Sequence, residues 1–451
     1  MDARHTAYLP DENPPIGKLI LFALQQILVM LPATVLVALL TGFHISTTIF
    51  ASGLATLCFV LITKRQIPLY YGSSFSYIAA ICSMTMAQFG QTAPDESIRA
   101  AQFGIVMSGL VSIAAGLLIK RFGKNIVEKI LPPTITGPIA LTIGVSLAVA
   151  ALNNASGMGD AGTAVGPVAN YSWAIAIITL LATVIFSVYL KGTLSQLPIL
   201  FGIVLGYVIA VVVTLTTDVK LIDFAAVASA APIEVPHFTL PLPNWAAIAA
   251  IMPIAIATIP ESTAHLYQLD IYVNDLAKKK GSKKQYNISD KLGLNLIGDG
   301  IGDIVSGAIG GPAGTNYGEN LSTMAITRNF SIRMIVAAAI ITMVVSFSGT
   351  LSAAINSIPA CVIGGIGVYL FGVIGAQGIA IMIERKVDMF DARNMAVIAV
   401  VLIIGIGGSF VNGGMIPMFG IELPAIATAA IAGILFNLLL NIGKQKERAK
   451  K

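Results

Sequence analysis

Long apolar runs, separated by short polar stretches, occupy most of this chain. Because a helix needs about 20 consecutive apolar residues to cross a bilayer, windows of that length predict about fourteen membrane segments. They lie near 16–41, 46–63, 67–84, 101–120, 130–152, 171–190, 196–216, 246–272, 290–309, 316–327, 332–349, 358–383, 394–410 and 424–442. The third, ninth and tenth are too short or too rich in glycine to be simple spans. The pattern predicts an all-α polytopic membrane protein.

The composition agrees with this prediction. The 451 residues are 56% hydrophobic and only 11% charged, with a mean hydropathy of +0.85. A soluble domain averages roughly 25% charged residues, so a soluble enzyme is excluded. The sequence also lacks a Walker phosphate-binding pattern and the His/Glu spacing of a zinc site. We therefore expect neither an enzyme, nor transport driven directly by ATP, nor a resident cofactor or metal.

Basic residues fall on one side of the predicted segments. The clusters are Lys64–Arg65, Lys120–Lys124, Lys278–Lys284, Arg328–Arg333, Arg385–Lys386 and Lys444–Lys451. Of the 27 Lys and Arg residues, only Arg99 and Lys220 fall in loops predicted to be external. The positive-inside rule then predicts an even number of spans in the cell (inner) membrane, with both termini in the cytoplasm. The net charge of +5 arises from these loops and does not indicate nucleic-acid binding, and Lys278–Lys284 is expected to form a solvated face next to lipid.

Two of the short segments share a pattern. Each has a proline, a short extended stretch, Tyr-Gly, two polar residues and an apolar half-helix, in residues 67–77 and 312–321. They are the third and tenth of the predicted segments, so they occupy equivalent places in two runs of seven. An odd number of spans per repeat inverts the second copy in the membrane. We therefore expect a 7+7 inverted repeat whose extended pieces pair near the midplane and whose half-helices direct N–H groups at a common cavity.

Two acidic residues lie within these apolar surroundings, where a carboxylate is costly unless it is protonated, paired or hydrated. Glu319 follows the Gly/Pro-rich break at 310–314, and Glu261 lies four residues before His265 on the eighth segment. This spacing places Glu261 and His265 on one helix face, where they can hydrogen-bond as part of a proton or ligand pathway. The alternatives are that Glu261 pairs with a neighbouring polar group and that Glu319 only caps a helix.

The stretch Gly300–Asp303 offers another interpretation. Its Gly-x-Gly-Asp pattern occurs in intramembrane aspartyl proteases, which also need a second aspartate on a neighbouring span, after a tyrosine. No Tyr-Asp pair occurs in this chain. Asp299 and Asp303 lie four residues apart on a glycine-rich helix, and we expect them to serve in packing or hydrogen bonding.

The residues described so far resemble the signature of the nucleobase–ascorbate transporters, and the similarity is greatest to bacterial uracil permeases. The matching stretches are spread over nearly the whole chain: Ala33–Val37, Gly72–Phe75, Leu131–Pro133, Glu261 with His265, Asn316–Asn320 and Thr327–Arg328. Two positions depart from the pattern. Gln25–Gln26 occupies the place where uracil permeases commonly have Gln-His, and Ser262 occupies that of a frequent second histidine. Both departures reduce the titratable groups available to a proton relay.

The resemblance implies a core domain and a gate domain, each assembled from both halves of the chain. The core is expected in 1–122 and 244–350, and the gate in 123–243 and 351–451 with the cytoplasmic tail. The resemblance also implies a nucleobase site and homodimers formed through the gate. The expected substrate contacts are Ala33, Phe75, Glu261, Tyr317, Gly318 and Glu319, and the expected proton-coupling pair is Glu261 with His265.

The Tyr-Gly-Glu-Asn run replaces the Gln-Asn start that is usual in purine-type members, which favours a pyrimidine. The resemblance therefore implies uracil import by proton symport with alternating access. Xanthine, urate or another nucleobase is the nearest alternative cargo, and sodium is the alternative coupling ion. An anion transporter of the same architecture is a further alternative, although an anion would meet the carboxylate of Glu319 rather than a free positive helix end.

Overall fold

The computed structural model describes residues 7–87, 89–123, 130–157, 167–411, 414–418 and 421–448, which are mostly helical. The first half contains α1 (Ile16–Thr41), α2 (Ile45–Ile62), strand β1 (Tyr71–Ser73), α3 (Ile78–Thr85), α4 (Asp95–Phe122), α5 (Pro133–Ser146), α6 (Ala148–Ala155), α7 (Pro167–Tyr189), α8 (Pro198–Thr216) and α9 (Phe224–Ser229). The second half contains α10 (Trp245–Ile251), α11 (Ala255–Lys279), α12 (Leu292–Ile309), β2 (Gly314–Asn316), α13 (Gly318–Thr327), α14 (Ile332–Val345), α15 (Gly349–Asn356), α16 (Ala360–Glu384), α17 (Ala392–Leu402), β3 (Met415–Met418), β4 (Ile421–Pro424) and α18 (Ala425–Arg448).

Ten helical stretches in the described part of the chain are long and apolar enough to cross a membrane. The count becomes eleven if α14 and α15, which meet at a bend of 83°, form one broken span. The longest stretch, Trp245–Lys279, runs from α10 through a 3-10 turn into α11. Half-helices such as α3 and α13 are too short to cross alone. The chain is a multi-pass helical membrane protein, and the count of fourteen segments stays a prediction.

Strands β1 and β2 form a buried, two-stranded antiparallel sheet among the helices, with Gly72 opposite Thr315 at its centre. The pairing continues beyond the strands, because the backbone N–H of Tyr317 donates to the carbonyl of Tyr70 at 2.9 Å. Backbone groups without partners are costly in an apolar interior, so each extended piece satisfies the other. The sheet thereby joins the third predicted segment to the tenth and places the beginning of both half-helices close to it.

Helices α4 and α12 pack against each other through glycine. A Cβ atom on Gly109 of α4 would lie 2.4 Å from the backbone oxygen of Gly300 in α12, which leaves no room for a side chain. Small residues allow membrane helices to approach this closely. Gly300 of the Gly-x-Gly-Asp pattern therefore serves helix packing, whereas Gly302 lies against the ring of Tyr71 in β1.

The segment before α1 packs on loops that carry basic residues. Tyr8 forms a bridge with Asn329, which lies just beyond α13. The ammonium group of Lys280 donates to the carboxylate of Glu12 at 2.6 Å, and the Lys280 side chain is only 15% exposed. The expectation of a solvated face at Lys278–Lys284 is therefore wrong for Lys280, because an acid from the N-terminal segment reaches it.

Candidate functional site

Two acidic residues, Glu261 and Glu319, lie on helices α11 and α13, which contact each other. Glu261 is on α11, directly after Pro260, in a stretch that is long and apolar enough to span a membrane. Its side chain is exposed. Glu319, the second residue of α13, is half-buried. Because a carboxylate in apolar surroundings of this kind is a candidate functional group, the two acids mark the candidate site.

His265 lies one turn after Glu261 on α11 but forms its hydrogen bond elsewhere. A carbonyl oxygen only accepts, so the Nδ1–H of His265 donates to the backbone oxygen of Asn316, at 2.7 Å. The Nε2 atom faces Gly318, where a Cβ would lie only 2.7 Å away. The expected direct bond between Glu261 and His265 is not formed in this structure, because the imidazole is directed at the corner between β2 and α13. The role of His265 in proton coupling stays a prediction.

Helix α13 begins at Gly318, beside the imidazole of His265. The first N–H groups of a helix have no intrahelical partner, and this end of the helix attracts carbonyl oxygens and anions. Glu319 lies in the first turn of α13, where an acid favours the helix start, and Tyr317 before it makes no side-chain capping bond, so the capping alternative stays open. Asn320 fixes the helix to α1, because its Nδ2 donates to Oε1 of Gln26 at 2.8 Å.

Phe75 and Ala33 lie on elements from the first half of the chain that reach the same region. Phe75 opens a 3-10 turn after β1, and its half-buried ring meets Phe371 of α16 edge-on, with the ring centroids 6.1 Å apart. Ala33 is buried in α1, a helix that contacts both β1 and α13. Their contacts with a substrate stay predictions. The aromatic pair links a predicted core element to a predicted gate helix.

Tyr317 is buried, and both hydrogen-bonding capacities of its hydroxyl group are used within the protein. The hydroxyl donates to the backbone oxygen of Ser73 at 3.0 Å and lies 2.9 Å from Oγ1 of Thr34. Its ring packs on Gly72, where a Cβ would lie 2.3 Å from the ring. Tyr317 therefore holds α1, β1 and β2 together, which is a positioning role. Its predicted contact with a substrate stays a prediction.

We expect Tyr317→Phe to lower the thermal unfolding temperature of the purified protein. The variant keeps the ring but leaves the buried carbonyl of Ser73 without its hydroxyl partner, which costs about 1–3 kcal/mol. Tyr207→Phe is the control, because the Tyr207 hydroxyl lies 2.7 Å from Oγ of Ser357 and far from this sheet in the chain. Equal unfolding temperatures for Tyr317→Phe and the wild type would contradict the positioning role.

A buried polar network lies behind Glu261, starting at the next residue along α11. Ser262 donates to a carboxylate oxygen of Asp299, and Asn295 donates to Oγ of Ser262 at 2.6 Å. Asn316 of β2 donates to Oδ1 of Asn295 at 3.2 Å. This network fixes α11, α12 and β2 relative to one another. Hydrogen bonding by Asp299 agrees with the expectation from the sequence. The part of Asn295 was missed, although Asn295, Asp299 and Asp303 recur every four residues and so predict one polar face of α12.

Asp303 lies against the sheet. The hydroxyl of Tyr71 donates to Oδ1 of Asp303 at 2.5 Å, and the backbone N–H of Gly314 donates to the same oxygen at 2.8 Å. One carboxylate therefore binds the first residue of each strand. Because Asp299 bonds to Ser262 instead, the two aspartates do not form the paired carboxylates that an aspartyl protease requires.

The fold and the site together define a multi-pass membrane protein with an acid on a proline-containing helix and another on a half-helix, an arrangement typical of secondary transporters. The chain belongs to the Permease family, whose sequence profile matches residues 17–414. It is 36% identical over 440 residues to the uracil permease of Bacillus caldolyticus, covering 95% of this chain and 94% of that one. The uracil permease of Bacillus subtilis (strain 168) is 36% identical over 434 residues, covering 94% and 93%. The family resemblance seen in the sequence is confirmed.

The fold is also similar to a solved structure, the transmembrane domain of the cyanobacterial bicarbonate transporter BicA. The TM-score is 0.61, and the superposition covers 95% of this chain and 99% of that domain. The sequence identity is 17%, so the likeness concerns the fold alone.

Proposed function

We propose that this protein is a secondary active transporter that imports a nucleobase, with uracil as its substrate and the proton as its coupling ion. The observation that carries the proposal is that Glu261 of α11 and Glu319 of the half-helix α13 lie on helices that contact each other beside the buried β1–β2 sheet. The similarity to uracil permeases over nearly the whole chain supports the choice of substrate.

The chemistry of uracil matches the groups at this site. Uracil is a small planar ring with two N–H donors and two carbonyl acceptors on its edges. The carboxylates of Glu261 and Glu319 are acceptors for the N–H groups, and charge-assisted bonds of this kind are stronger than neutral ones. The free N–H groups at the start of α13 suit a carbonyl oxygen. Phe75 would cover one face of the ring, as a flat aromatic side chain does well.

Transport requires the site to open to each side of the membrane in turn, and we infer that a core moves against a gate. The proposed core helices pack on one another: α12 on α2 and α4, and α14 on α1 and α2. The proposed gate helix α16 packs on α5, α6 and α7. This grouping supports the division at about residues 122, 243 and 350, and we propose with it the 7+7 inverted repeat of fourteen spans. Dimerisation through the gate rests on the family resemblance alone.

Proton coupling would act through Glu261. Protonation from the outside neutralises the negative charge of Glu261. A charge is costly in an apolar environment, so its removal lowers the free energy needed to move the core domain against the gate domain. Release of proton and uracil inside would then reset the site. One proton moving down ~100 mV supplies ~2.3 kcal/mol, which corresponds to roughly fifty-fold accumulation. Sodium is the alternative coupling ion, and the site's own carboxylates would serve either cation.

The test is counterflow of radiolabelled uracil in proteoliposomes that contain the purified protein, with and without an imposed pH gradient. We expect exchange without a gradient, and accumulation when the outside is acidic. Protein-free liposomes give the baseline, and a sodium gradient at constant pH separates the two coupling ions. Xanthine, urate, cytosine and bicarbonate are the competitors. The absence of uracil exchange would refute the substrate, and competition by bicarbonate alone would favour an anion transporter of similar fold.

A further inference from the structure

Three side chains that are far apart in the sequence meet at one end of the helical bundle. His44 lies in the turn between α1 and α2, Asp95 is the first residue of α4, and His237 lies in the segment before α10. The Nε2 atom of His237 lies 2.8 Å from one carboxylate oxygen of Asp95, and Nε2 of His44 lies 3.4 Å from the other. This end is the face that the distribution of basic loops predicts to be external. It is separate from the acids of the proposed uracil site.

The three ligand atoms have the spacing of a small coordination sphere. All lie within 4.8 Å of one another, and the imidazole rings are tilted by 46° with their centroids 4.4 Å apart. A tetrahedral zinc ion with bonds of about 2.0–2.1 Å keeps its ligand atoms roughly 3.3 Å apart. The distances from Asp95 to Nε2 of His237 and to Nε2 of His44, 2.8 Å and 3.4 Å, lie on either side of that value. The side chains of Asp95 and His237 are exposed and that of His44 is half-buried, and small rotations of them would bring all three atoms into bonding distance.

The backbone around the three residues is held by bonds that do not involve the imidazoles. The hydroxyl of Thr47 donates to the backbone oxygen of His237 at 2.7 Å, and the hydroxyl of Thr48 donates to that of His44 at 2.9 Å. Beyond His237, the backbone N–H of Leu242 donates to the carbonyl of Arg99 in α4 at 2.8 Å. The segments are therefore already in place, so a cation need not order a loose loop in order to bind.

The donor set selects the class of cation. Two imidazole nitrogens and one carboxylate are typical ligands of zinc, whereas magnesium and calcium prefer oxygen ligands. Three protein ligands leave a fourth position for water. Asp95 and His237 side chains are 51% and 53% exposed, so this fourth position opens to solvent. An apo protein would keep the same residues together as a hydrogen-bonded His–Asp–His group.

We propose that His44, Asp95 and His237 form a binding site for one Zn²⁺ ion on the outer face of the protein. The bound ion ties the α1–α2 turn and the start of α4 to the segment before α10. These segments come together only in the folded chain. Because zinc then binds the folded state and not the unfolded one, it stabilises the protein against unfolding. The site differs from the uracil site in position and chemistry, so it stands whether or not the proposed transport function is correct.

The test uses the full-length protein in detergent, with any affinity tag removed and after treatment with EDTA. Isothermal titration with ZnCl₂ at neutral pH is expected to show one saturable site per chain, with no heat from MgCl₂. Loss of even an outer-shell partner costs ~10–100-fold in metal affinity, so His237→Gln and Asp95→Asn should each weaken zinc binding by more than about tenfold. The double variant His44→Gln/His237→Gln should show no binding at this site.

His5→Gln is the matched control, because it removes another of the four histidines and should leave the affinity unchanged. Unfolding temperatures measured in EDTA check that each variant is folded, and zinc should raise that of the wild type but not of the double variant. Co²⁺ should give the visible absorption of a four-coordinate site. Equal zinc affinity in the double variant and the wild type, or no saturable binding by the wild type, would overturn the proposal.

Discussion

Replacing Glu319 with alanine is expected to abolish detectable binding of uracil to the purified protein. The substitution removes the acceptor for a ring N–H group and leaves that polar group unpaired in an enclosed site. A lost charge-assisted bond of this kind costs about 1.5–3 kcal/mol, and the unpaired donor adds to that, so the affinity should fall by roughly 100-fold or more. Isothermal titration or equilibrium binding of radiolabelled uracil measures the effect.

Glu384→Ala is the matched control for this experiment. Glu384 is the last residue of α16, is exposed and lies outside the candidate site. Its removal should leave uracil binding unchanged, which separates the loss of one particular acid from the loss of any negative charge. Uracil binding by Glu319→Ala with wild-type affinity would show that Glu319 only caps α13.

The second large effect is expected for Glu261→Gln, which should lose accumulation driven by a pH gradient while it continues to bind and exchange uracil. Glutamine keeps the size and one acceptor oxygen of glutamate but does not bind and release a proton. The proton would then contribute no driving force, and the roughly fifty-fold accumulation available from about 100 mV should fall to equilibration. Proteoliposomes with an acidic outside measure accumulation, and counterflow without a gradient measures exchange.

His265→Gln provides a comparison within the same helix. In this structure the imidazole donates to Asn316 and faces Gly318, so its loss should disturb the start of α13 and reduce uracil binding. An effect on binding for His265→Gln and on coupling for Glu261→Gln would separate the two roles. Accumulation by Glu261→Gln equal to that of the wild type would instead exclude Glu261 as the proton-coupling group.

The sequence by itself determined the class of this protein and singled out Glu261 and Glu319 as candidate site residues. Apolar runs of membrane length predict spanning helices, because a helix satisfies the hydrogen bonds of its own backbone in a bilayer that contains no water to do so. The breaks before Phe75 and Glu319 could be identified for a related reason: glycine, proline and polar residues interrupt a pattern that is otherwise continuous. The family resemblance follows from short stretches whose residues are adjacent in the chain. All of these signals are local.

Only the tertiary structure decided which polar atoms meet. His265 donates to the backbone oxygen of Asn316 rather than to Glu261, and the hydroxyl of Tyr317 donates to the backbone oxygen of Ser73. His44, Asp95 and His237 lie within one small cluster although 142 residues separate the last two. Spacing along one helix predicts which residues share a face. A hydrogen bond also requires a donor–acceptor distance correct to fractions of an ångström and a suitable angle. Those are fixed by the packing of helices and strands from both halves of the chain, which no single stretch of sequence contains.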